Sequence, residues 1–173
     1  MKTILTLAAS FLLITTPVVR AGTLEFPKDN PSFRVTLPGG WRTNTEEDGT
    51  IKFAKDENTP LVTSISRKTN AHSDEEIKTF LVKSANRTAE LAKLKDVKVG
   101  EISQTTNRHK VVLFSLETTG TEPDGTKLIL PMTGFSPKPS SYYIISSSLP
   151  KLEVYQAHQK EYAEVVNAIS AIP

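Results

Sequence analysis

Apolar and polar residues alternate through Phe33-Arg-Val-Thr-Leu37, the two-residue period of a half-buried strand, and Pro38-Gly39-Gly40 stops the run before Trp41. The only tryptophan of the chain, directly behind that turn, is expected in the core. Asp48-Gly49 is a hairpin signal, because glycine accepts the positive φ that such turns require, and it separates the Trp41 segment from Thr50 to Ala54. Asn58-Thr59-Pro60 breaks the chain again before a second alternating run, Leu61 to Ser66. The amino-terminal third therefore reads as a meander of short strands.

The period changes at Ser73. Glu76 follows three residues later, which makes a capping box, and Asp74 and Glu75 favour the positive end of a helix dipole. Ile77, Phe80, Leu81, Ala85, Thr88, Leu91 and Leu94 then recur at three- and four-residue spacing, predicting a helix over Asp74 to Leu94 with one buried stripe. From Val97 the period returns to two, and the phase change between Val99 and Ile102 marks Gly100 as a bulge. Val111 to Leu116, Leu128 to Leu130 and Tyr142 to Ile145 are apolar in both phases, so these strands need cover on both faces. Glu122-Pro123-Asp124-Gly125 joins the first two as an antiparallel hairpin, and a second helix is expected over about Lys151 to Ala171, with Tyr155, His158, Tyr162, Val165, Val166 and Ile169 on one side. The implied fold class is α+β: a three-layer α/β/α sandwich with a central, mainly antiparallel sheet.

This order of elements resembles the PsbP and DcrB-like superfamily. The resemblance rests on Phe33-x-Val-x-Leu-Pro-x-Gly-Trp41, the Asp-Gly turn, the Ser-x-x-Glu helix start at Ser73, the hairpin strands and the closing helix Tyr155 to Ile169. It covers nearly the whole chain after residue 21, and its motifs are structural rather than chemical. It implies a small α/β/α sandwich and a non-enzymatic accessory or binding role; families of this fold include photosystem accessory proteins, bacterial envelope proteins and a Ran-binding import factor. It carries over no functional residue.

The first twenty-one residues change the electrostatic picture. Lys2, the apolar stretch Ile4 to Ile14 and Val19-Arg20-Ala21 have the layout of a secretory signal peptide, predicting cleavage after Ala21 and a periplasmic or secreted domain over 22–173. The chain carries 21 Lys and Arg against 19 Asp and Glu, and removing Lys2 and Arg20 makes the two signs equal. A neutral domain gives no support for nucleic acid or anionic membranes as partners, and no stable membrane anchor is expected after cleavage. Lys83, Arg87, Lys93, Lys95 and Lys98 are interleaved with acidic residues, as on a solvated helix face. With no cysteine, disulfides, thiolate metal sites, thiol catalysis and an amino-terminal lipid-modified cysteine are all excluded.

Reactive constellations are sparse. Ser148-Leu-Pro-Lys151 matches S-x-x-K, but its partner motifs are missing and Pro150 reads as a strand end before a helix start. His72, His109 and His158 share no metal-ligand spacing. The acidic turns at Glu46 to Gly49 and Glu122 to Gly125 lack calcium-loop spacing, and Asn86-Arg-Thr88 falls inside the expected helix. No catalytic residue, metal site or cofactor is therefore assigned. Gly134-Phe-Ser-Pro-Lys-Pro-Ser141 is expected to be a loop linking two core strands, with Phe135, Lys138 and Tyr142 as candidate partner contacts if they face outward together. The function read from the sequence is an exported, non-enzymatic accessory or binding protein of the cell envelope, with an envelope protein as partner. A small hydrolase with a spatially assembled site and a ligand or ion carrier are the alternatives.

Overall fold

The computed structural model describes residues 22–55, 60–68, 71, 73–138 and 141–173. The expected signal segment and His72 lie outside the described residues. In chain order the elements are β1 (Gly22–Phe26), β2 (Phe33–Leu37), β3 (Arg42–Thr45), β4 (Ile51–Ala54), β5 (Thr63–Lys68), α1 (Asp74–Leu91), β6 (Lys95–Val99), β7 (Ser103–Thr106), β8 (Val112–Thr121), β9 (Lys127–Lys138), β10 (Ser141–Ser147), α2 (Leu152–Asn167) and β11 (Ile169–Ala171).

Eight strands form one antiparallel sheet in the order β3-β4-β5-β10-β9-β8-β6, with β7 pairing the other end of β8. Two of its hairpins close alike. In each, a glycine at positive φ (Gly49, +80°; Gly125, +90°) follows an aspartate that accepts the N–H of the next residue but one, Thr50 at 2.8 Å and Thr126 at 2.9 Å. The sequence Glu-x-Asp-Gly-Thr thus builds both, since only glycine adopts that φ at no steric cost.

The two-phase strands divide their side chains between two cores, as their pattern requires. Phe114, Leu116, Leu130, Met132, Tyr142 and Ile144 face α1, where Ile77, Leu81 and Ala85 cover them. Leu113, Ile129, Phe135, Tyr143 and Ile145 face the other way, towards Tyr155, Tyr162 and Val165 of α2 and towards Phe33, Val35 and Ile169. The result is the α+β sandwich expected: α1, the large antiparallel sheet, and α2 on the far side. Trp41 is 3% exposed and belongs to the second core.

The far layer holds more than a helix. β1, β2 and β11 form a separate three-stranded sheet with β2 in the middle, so Phe33 to Leu37 does not continue into the β3-β4-β5 meander. Other boundaries are corrected too. The second helix ends at Asn167, and Ile169 enters β11 opposite Val35 instead of extending the helical stripe. α1 ends at Leu91, because Lys93 turns left-handed (φ 54°) and the Lys93 and Leu94 N–H groups bond back to the Glu90 and Ala89 carbonyls. The buried positions are Ile77, Leu81, Ala85 and Ala89, a pure four-residue spacing, while Leu91 is 69% exposed. The register shift in β6 falls between Lys95 and Lys98, where Asp96 has positive φ, rather than at Gly100. Gly100 serves a close approach: its N–H donates to the Glu117 carbonyl at 2.9 Å, and a Cβ there would sit 2.8 Å from the same oxygen.

Candidate functional site

The register across the large sheet sets one row of side chains, Arg67 on β5, Tyr143 on β10, Phe135 on β9 and Leu113 on β8. The adjacent row on the same face runs Ile51, Ile65, Ile145. Directly opposite residues share a face, and Leu113, Phe135, Tyr143, Ile51, Ile65 and Ile145 are all core residues of the face bearing the small sheet. Arg67 is therefore in the inward phase of β5, after Thr63 and Ile65, yet it is exposed. The reason is local. β4 pairs with β5 only as far as Ile65, and the small sheet does not close over the end of the row.

What remains is a cleft of about 200 Å³ between the two sheets, lined by Phe26, Pro27 and Phe33 on one side and by Ile51, Ile65 and Tyr143 on the other, with Arg67, Asp48 and Gly49 completing its wall. Its base is rigid. Phe33 packs edge-on against Phe135 (5.3 Å between centroids) and Tyr143 (4.7 Å), and Phe135 stacks on Tyr143 at 5.5 Å. The Tyr143 hydroxyl is 3.0 Å from Ser32 Oγ, which fixes the ring by a buried polar contact to the loop between β1 and β2. Lys138 holds the same loop, its Nζ donating to the Pro31 carbonyl at 3.2 Å. Asp48 keeps its carboxyl below the usual range because its oxygen accepts the Thr50 N–H, so it stays anionic at the cleft wall.

The structure corrects the expected contact triad. Gly134 to Lys138 is strand, not loop, and Phe135 is 0% exposed beneath the cleft. Tyr142 points to the opposite face, where it is buried beside α1 and its hydroxyl donates to Asp74 Oδ1 at 2.8 Å. Burial and this carboxylate raise its pKa to about 12. Successive strand residues face opposite ways, so Phe135 and its partner Tyr143 are separated from Tyr142 by the sheet. Lys138 alone stays partly exposed.

The other sequence candidates are dispersed. His158 Nδ1 lies 3.7 Å from Glu161 Oε1 on α2, and His109 Nε2 accepts from Arg108 Nε at 3.1 Å. Among the described residues no group of three His, Cys, Asp or Glu is placed to hold a metal ion. The Ser148 N–H bonds to the Val62 carbonyl while Lys151 sits at the start of α2, so the S-x-x-K spacing spans a strand end and a helix start. Asn86 lies on α1 and bonds to the Val82 carbonyl. No sequence motif pointed to the cleft. Its one legible signal was a cation in phase with Thr63 and Ile65.

The fold is shared with solved structures. Cyanobacterial PsbP (CyanoP) from Synechocystis superposes with a TM-score of 0.59 and 12% identity, over 91% of this chain and 96% of that one. The fold is PsbP-like. LpqN of Mycobacterium tuberculosis, described as involved in cell envelope biogenesis, gives 0.52 and 14% over 88% and 90% of the two chains. A variant of the protein Mog1 gives 0.51 and 8% over 89% and 97%. No protein-family profile and no curated sequence matches the chain. These identities speak for the PsbP-like fold and for no residue role.

Proposed function

We propose that residues 22–173 are a single exported domain that binds another component of the cell envelope, without catalysis, through the cleft between its two sheets. The observation that carries this reading is the cleft itself: an apolar and aromatic lining on a packed aromatic base, with charged groups at its margin, the usual make-up of a recognition site. Export is supported by the charge and hydropathy layout of the first twenty-one residues. The PsbP-like neighbours, one of them described as an envelope-biogenesis protein, are compatible with a non-enzymatic envelope role. Among the described residues no helix is long and apolar enough to cross a membrane. The hydrolase alternative gains nothing here, because Ser32 is paired with a phenol and not an imidazole.

Two measurements test the reading. The mature protein should start at Gly22 by mass and fractionate outside the cytoplasm; an uncleaved cytoplasmic chain would overturn export. Tagged protein should enrich an envelope component that is lost with Arg67→Glu and retained with Lys83→Glu on α1, both variants melting like the wild type. Equal recovery by both variants, or turnover of an ester, peptide or glycan by the purified protein, would sink it.

A further inference from the structure

Arg67 occupies a position that the strand pattern reserves for core residues. Ile65 and Thr63, two and four residues back, are each 1% exposed, and its cross-strand partner Tyr143 is buried. Among the described residues no hydrogen bond or ion pair engages its guanidinium, although Asp48 lines the same cleft; that carboxylate is turned into its own hairpin by the Thr50 N–H. A planar five-donor cation beside an apolar cleft matches an oxyanion taken bidentately, and a single cation with the anionic Asp48 in the same cleft suits a singly charged carboxylate over a phosphate. The size narrows the choice further. At about 200 Å³ the cleft lies below the roughly 300–1,000 Å³ of ordinary small-molecule pockets, so it suits one ring or one branched chain, not a whole cofactor.

We infer, resting on the cleft as the binding surface, that it recognises an apolar group of that size ending in a carboxylate, with the hydrocarbon against the partly exposed Phe26 and Pro27, over the buried floor of Phe33, Ile51 and Ile65, and the carboxylate on Arg67. Asp48, which lines the same cleft, repels the anion and so favours its placement on Arg67. A free aliphatic or aromatic acid and the carboxy-terminal residue of a partner chain present the same chemistry. The competing account is that Arg67 is an inward-pointing charge that discourages strand pairing at a locally uncovered edge.

The test is amide-shift titration of the isotopically labelled protein with 3-phenylpropionate, with its neutral amide, and with an acetylated dipeptide ending in phenylalanine, each against wild type and Arg67→Ala. The expected result is saturable shifts at Phe26, Ile51 and Ile65, with the acid bound about tenfold more tightly than the amide, a preference that vanishes in Arg67→Ala. The dipeptide binding more tightly than the free acid assigns the source to a chain terminus, and the reverse to a small molecule. Equal affinity for acid and amide would overturn the anionic specificity and leave the cleft as a binding surface. No shift at those amides with any probe would overturn both. A melting temperature for Arg67→Ala within experimental error of the wild type keeps the comparison one of binding.

Discussion

Trp41, Asn107 and Tyr142 each test a different physical term at the scale of single residues. Trp41 is a buried member of the core under the small sheet, and Trp41→Ala should cost about 3 to 5 kcal/mol by denaturant melt, through lost burial and the cavity left behind. Asn107 satisfies four backbone groups: its Oδ1 accepts the His109 and Val111 N–H groups, and its Nδ2 donates to the carbonyls of Val166 and Ile169 at 3.2 and 2.8 Å. It ties the β7–β8 turn to the end of α2. Asn107→Asp removes both donors and aims a carboxylate at two carbonyls, so the stability loss should reach at least about 2 kcal/mol. Tyr142 sets a pH dependence. Its folded pKa of about 12 lies above the ordinary 10.0, so the folded state keeps a proton that the unfolded chain releases. Its contribution is therefore full below pH 10 and falls as pH rises towards 12. Burial of Tyr155 and Tyr162 raises their pKa values as well and adds to the same alkaline loss. The stability gap between wild type and Tyr142→Phe should be constant from pH 7 to 9 and narrow from 10 to 12; a gap that widens would refute the Asp74 contact. Trp41 was legible in the sequence from the turn before it. Asn107 was not, because its two Nδ2 bonds reach a segment about sixty residues away.

The second half of β9 shows at the scale of elements why a correct residue pattern can still mislead. Gly134, Pro137 and the following proline read as a loop, yet the strand runs on to Lys138. The two prolines within β9 sit where one ladder has ended: Pro137 lies beyond the last β8 pair, Leu113 with Phe135, and Pro131 beyond the last β10 pair, Ser146 with Met132. Gly134 is there for α1. A Cβ on it would meet Ile77 Cγ1 at 2.6 Å, so the helix rests directly on the strand backbone. Gly134→Ala should push α1 off the sheet and cost about 1 to 3 kcal/mol, with a compensating gain when combined with Ile77→Ala, which removes the clashing γ carbon. Strict additivity of the two changes would contradict that contact. Helix starts were legible because the Ser73 side chain accepts the Glu76 N–H, a bond within one turn. Helix ends were not. The left-handed Lys93 uses no glycine, and Ile169 leaves the helix to pair with Val35 more than a hundred residues earlier.

For the whole molecule, two cores on opposite faces of one sheet explain why three strands are apolar in both phases, and that layering follows from the pattern alone. The three-stranded sheet does not. It forms from β1, β2 and β11, whose partners come from both ends of the chain, and it decides where the second core is left open. The cleft is the consequence, since β2 brings Phe33 over Phe135 and Tyr143 but leaves Arg67 uncovered at the margin. The surface first expected, Phe135 with Tyr142, is divided by the sheet, and its aromatic member on the cleft side supports the base instead. The most direct test of the account is site-specific photocrosslinking in intact cells. Lys28, exposed beside Pro27 at the cleft, and Lys83, exposed on α1, would each be replaced by a photoreactive phenylalanine derivative. The account predicts one dominant envelope adduct from position 28 and none above background from position 83. A dominant adduct from position 83 with none from position 28 would place the functional surface on the α1 face and contradict it.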